Sequence, residues 1–102
     1  MSRYLPPLGK VMNWLEASGF KVSYLYEDLV FVESNAFLIR FEESDSQGIL
    51  IYTNSRCEFS KAKELEFLLL KEAKNHQIEP VKKGQFTLSQ QKDDEIDIRF
   101  EH

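Results

Sequence analysis

Cysteine is almost missing from this chain. Cys57 is the only one in 102 residues, so no intramolecular disulfide can form and the thiol points to a reducing, cytoplasmic setting. Histidine is as scarce, with only His76 and His102; one Cys and two His cannot fill the N/S ligand set of a structural zinc site, and we expect no metal. The four glycines (Gly9, Gly19, Gly48 and Gly84) stand singly, which excludes a Gly-rich phosphate loop, and Gly-x-Ser-x-Gly is absent too. The longest apolar runs, 29–32 and 67–70, fall far short of the roughly 20 residues that span a bilayer. Residues 1–7 lack the apolar stretch of a signal peptide, so no membrane association is expected. Positive charge is also short: the net charge is −4 and the pI about 5.2, which argues against a phosphate-binding surface and hence against nucleic acid as a partner.

What is present is ordinary globular composition, 42% hydrophobic and 29% charged, far from the corner where chains stay disordered. The length fits one domain, 1–102. At this size roughly 65% of the unfolded surface is buried on folding, too little for a core that also wraps a haem, flavin or dinucleotide, so no cofactor is expected. Charge is uneven along the chain: residues 1–26 carry +2, 27–58 carry −5, 59–83 carry +2 and 84–102 carry −3.

Leu8, Val11, Met12 and Leu15 recur at helical spacing, with Pro7 suited to the first turn and Gly19 to the stop. The spacing predicts a helix over 7–18, with Trp14 at the edge of its apolar stripe or exposed. From residue 20 the period changes to two. Strands are predicted over 22–26, 29–33, 37–42 and 49–53, separated by Glu27-Asp28, Ser34-Asn35 and Ser44-Asp45-Ser46-Gln47-Gly48. A second helix runs from an N-cap at Ser60 to His76, burying Ala62, Leu65, Leu68, Leu69, Ala73 and His76 and leaving Phe67 and Leu70 outside beside Lys63 and Lys74. Phe86 and Leu88, then Ile96, Ile98 and Phe100, alternate around a polar hairpin tip over 90–95. The order α-β-β-β-β-α-β-β defines an α+β two-layer sandwich, an antiparallel sheet with helices on one face and its other face wet.

No catalytic constellation emerges. Cys57 precedes the second helix beside Arg56, but His76 lies at that helix's far end, about 24 Å away at 1.5 Å per residue, so Cys57 reads as a loop or core filler and His76 as a capping or packing residue. The carboxylates at 42, 43 and 45 and at 93–97 and 101 sit at hairpin tips or on a wet strand face, without the glycine and distal glutamate of a Ca²⁺ loop. Asn54, Ser55 and Arg56 form an anion-binding loop in one alternative, a small hydrolase or nucleotide-handling enzyme. An acidic immunity or antitoxin-type protein that masks a basic target is another.

Aromatics make up 13%, more than one small core readily absorbs. Leu29, Val30, Phe31 and Val32 run without polar interruption, and Phe67 and Leu70 lie off the core face, so Trp14, 29–32, Phe67 and Leu70 are the candidate protein-binding residues. The order of elements, from the helix ending Leu15-Glu16-Ala17-Ser18-Gly19-Phe20 through the strands, long helix and final strand pair, resembles the type III secretion chaperone-like fold, including its sensory-transduction-regulator relatives. This chain ends in a strand over 96–100, where secretion chaperones end in a helix. The resemblance implies a dimeric, non-catalytic protein that binds other proteins through sheet and helix surfaces. Expected, then, is a chaperone-like or regulatory binding module whose partner is another protein or a second copy.

Overall fold

The apolar spacing near the N-terminus forms helix α1 (Leu8–Ala17) in the computed structural model, which describes residues 8–26, 28–42, 48–90 and 96–101. Two backbone bonds close its end: Phe20 N–H donates to the Leu15 carbonyl at 2.9 Å and Gly19 N–H to that of Glu16 at 3.0 Å. This doubled closure needs a left-handed residue just past the cap, and Gly19 supplies it at φ 94°. Trp14 corrects the expectation of an edge or exposed position. It is fully buried, and its indole Nε1–H donates to the Leu69 carbonyl of the second helix at 2.8 Å. A helix packed against both a sheet and another helix buries a wider arc than its central stripe, and Trp14 fills the helix–helix side of that arc.

The remaining elements are β1 (Val22–Tyr26), β2 (Leu29–Val32), β3 (Phe37–Phe41), β4 (Ile49–Asn54), α2 (Phe59–Asn75), β5 (Val81–Gln90) and β6 (Ile96–Glu101). All six strands form one sheet in chain order. The α+β architecture and element order are those the sequence predicts, with one difference in pairing. β4 and β5 run parallel, while every other neighbouring pair is antiparallel. The connection between them contains α2, long enough to carry the chain back to its starting end, whereas the short turns of the β1–β4 meander are not. The predicted turn over 44–47 and the hairpin tip at 91–95 lie outside the described residues, as do Pro7, Glu27 and His102.

Both helices cover one face of the sheet. There Val11, Trp14, Leu15, Leu65, Leu69 and Ala73 meet Val30, Val32, Phe37, Ile39, Phe41, Ile49 and Ile51 in the main core. Leu68, predicted on this face, is 42% exposed. The opposite face is expected to be wet, but only part of it is: Leu29, Leu38, Tyr52 and Phe86 form a second buried cluster there, flanked by Phe31, Leu50, Leu88, Ile98 and Phe100, while Tyr24 and Tyr26 on β1 stay exposed. Curling of the sheet accounts for this burial. In a flat sheet β3 and β6 lie about 14 Å apart and β4 and β6 about 10 Å apart. Yet the Arg40 guanidinium carbon sits 4.8 Å from the centre of the Phe100 ring, and the Tyr52 and Phe100 rings are 4.6 Å apart. The run 29–32 is apolar because both faces of β2 are buried. It is not an exposed strip.

A bulge in β5 determines which of its side chains join the second cluster. Ile51 pairs with Lys82 but Tyr52 with Gly84, so Lys83 is unmatched. Lys82 consequently faces α2, where its Nζ meets Glu66 at 2.9 Å. Beyond the bulge Gly84, Phe86 and Leu88 follow Tyr52 onto the opposite face.

Candidate binding groove on the open face of the sheet

Two residues apart on a strand means one shared face, and Tyr24 and Tyr26 on β1 use it to line a groove of about 600 Å³. Their rings lie nearly parallel, 6.4 Å apart at 14°, and Tyr24 also stands 6.2 Å from Phe31 on β2. Across from them Leu88 on β5 and Ile98 on β6 form the other wall, and Ser23 and Asn35 add small polar groups. The sheet curl alone brings β1 and β6, its first and last strands, to one groove. Tyr24 is 60% and Tyr26 51% exposed, large aromatic surfaces that no described layer covers. Asn35 holds its turn in the left-handed region at φ 57°, which asparagine tolerates better than most residues.

Arg40 lies on the same face. Its Nε donates to Asp28 Oδ2 at 3.2 Å while the guanidinium stacks on Phe100. Partial burial pulls the guanidinium pKa down, but the hydrogen bond and charge of Asp28, reinforced by Tyr52, outweigh it and raise the pKa above its ordinary value. The group is a fixed cation on an apolar face. Among the described residues no three His, Cys, Asp or Glu side chains converge to hold a metal. The groove therefore presents aromatic and aliphatic surface suited to apolar side chains, and its described lining contains no acid–base pair.

The residues predicted from sequence fall in three places. Trp14, Val30 and Val32 are interior to the main core and Leu29 to the second cluster, so none of these four offers a surface. Phe31 is half-buried and reaches the groove. Phe67 (66%) and Leu70 (47%) are exposed on α2, as is Phe59 at the start of the same helix, whose ring lies 5.3 Å from Lys63 Nζ. This patch is separate from the groove, because α2 covers the other face of the sheet.

In the loop 54–56 the polar groups are already engaged. Asn54 Nδ2 donates to the Asn35 carbonyl at 2.8 Å and its Oδ1 accepts from Arg56 N–H at 2.9 Å. The Ser55 and Thr87 hydroxyls are 2.8 Å apart, and Ser55 N–H donates to the Phe86 carbonyl. The N-cap of α2 is Glu58, not Ser60, with no side-chain capping bond. An acidic residue thus opens the helix that follows 54–56, the anion-binding loop of one alternative. Asn54 and Ser55 tie the β4–α2 turn to neighbouring segments, and only the Arg56 side chain is free of described partners. Cys57 packs half-buried against the main core. His76 is the C-cap of α2, with Nε2 3.7 Å from Glu72 Oε1.

Tyr24, Tyr26, Leu88, Ile98 and Arg40 were not singled out by the sequence reading. The one local signal was the i, i+2 tyrosine pair; that its face meets β5 and β6 depends on a curl no local pattern encodes. No protein-family model matches the chain, and no curated protein and no solved structure matches it. Among the described residues no helix is long and apolar enough to cross a membrane.

Proposed function

We propose that this chain is a non-catalytic protein-binding module, chaperone-like or regulatory in role, whose open-face groove takes apolar side chains of a partner protein. The observation that carries the reading is the pair Tyr24 and Tyr26, more than half exposed and facing an aliphatic wall of Leu88 and Ile98. Solvent-facing aromatic surface next to a concave apolar wall is the anatomy of an interface centre. The groove volume falls within the range that accommodates a few side chains.

A peptide array presenting apolar anchors in varied spacing tests the proposal. The wild-type chain should bind a subset with spaced aromatic or aliphatic residues. The Tyr24→Ser/Tyr26→Ser variant should lose that binding, with its circular dichroism unchanged, while Phe67→Ser should retain it. Equal binding by wild type and the tyrosine variant, or no binding by either, overturns the reading.

A further inference from the structure

We infer that two copies of this chain associate edge to edge through β6, in an antiparallel register centred on Ile98 that sets Asp97 of each copy opposite Arg99 of the other. This goes beyond the groove, with which it shares Ile98, a residue of the groove wall; self-association and peptide binding are read out separately.

The sheet has two terminal strands, and they differ as edges. β1 carries a bulge between Val22 and Tyr24, a device that blunts an edge against pairing. β6 keeps unbroken register with β5 over six residue pairs, from Gln85–Glu101 to Gln90–Ile96, and contains neither proline nor lysine. Its far side is unpaired among the described residues. Such a regular edge accepts another strand unless charge forbids it.

Here charge selects the strand. Asp97 and Arg99 are exposed and lie across from Ser89 and Thr87 on β5, and neither forms an ion pair with a described residue. Directly opposed residues in an antiparallel pair share a face, so a two-fold pairing that keeps the apolar face continuous must be centred on a residue. Centring on 97 or 99 opposes like charges, Asp to Asp or Arg to Arg. Centring on 98 gives two Asp97–Arg99 pairs on one face and stacks Ile98 on Ile98 on the other, with position 96 beside Phe100. Centring on 100 leaves only Arg99–Glu101 pairs among the described residues. The 98-centred register is thus the self-complementary one, and an isologous contact of this kind closes at two copies. Among the described residues it spans 96 to 100.

Sedimentation equilibrium of the whole chain tests this. Wild type should run at twice the 12.0 kDa chain mass. Asp97→Arg and Arg99→Asp, each of which opposes like charges twice, should weaken self-association about tenfold or more. Because both side chains are exposed, circular dichroism should stay unchanged. Mixing the two single variants restores opposite charges at both positions and should give a mixed dimer, and the double exchange Asp97→Arg/Arg99→Asp should recover the homodimer. A wild-type monomer at all concentrations, a dimer that survives either single reversal, or the absence of a mixed dimer would each overturn the assignment.

Discussion

Arg40 shows how a single charged side chain fits on an otherwise apolar surface. Its partners are Asp28 at 3.2 Å and the face of Phe100 at 4.8 Å. Both members of the ion pair are about a third exposed, so solvent screening limits the pair to about 1 kcal/mol or less, and the ring contact adds about 0.5–1 kcal/mol. Arg40→Ala should therefore lower unfolding free energy by about 0.5–2 kcal/mol in a urea titration. The sign of the pH dependence follows from the raised pKa: the contribution is complete below the ordinary guanidinium value and is lost only as pH climbs past the folded one. The Arg40→Ala loss should thus be the same at about pH 7 and about pH 9. Trp14 is a simpler case. It is the only tryptophan and is buried with its N–H bonded to Leu69, so native emission should be blue-shifted and move red on unfolding. Trp14→Phe removes the donor and leaves a small void, costing about 1–3 kcal/mol by denaturant titration.

At the scale of elements, both helices end by the same device but with different residues. α2 closes with Ile78 N–H to the Ala73 carbonyl at 2.9 Å and Gln77 N–H to that of Lys74 at 3.3 Å. The left-handed position that Gly19 holds after α1 falls here to Gln77, at φ 56°. A side chain bearing Cβ there carries about 1 kcal/mol of steric cost, so Gln77→Gly should raise the thermal midpoint by a few degrees in a calorimetric scan. The elements themselves were legible in sequence because each carries its own period. Positions 8, 11 and 15 mark α1, and the alternation of 37, 39 and 41 against 38 and 40 marks β3. Trp14 was misplaced because one helix seen alone does not reveal that a second helix lies along its flank. The α2 N-cap was misplaced because Glu58 fills it without a side-chain bond, leaving no capping pattern to find.

For the whole molecule, the curl and the parallel β4–β5 pair were invisible in sequence, and they explain most of what the site reading missed. The surplus of apolar residues was legible; its destination was not. Much of it goes into a second core on the face expected to be wet, where Phe86 and Phe100 cover Tyr52 and Leu38. The two cores share one sheet, so the C-terminal hairpin is not an appendage. A chain ending after residue 80 exposes Tyr52 and Leu38 and should lose its cooperative urea transition and near-ultraviolet dichroism. The unmatched Lys83 gives the same dependence another form. A strand has only two sides, so one residue more or less upstream reverses the parity of everything downstream. The bulge absorbs that shift: deleting Lys83 would leave Ile51–Lys82 and Tyr52–Gly84 as consecutive pairs and keep Phe86 and Leu88 on their face, whereas inserting one residue between Gly84 and Phe86 would turn the lining outward, as a shifted reading frame turns sense into another text.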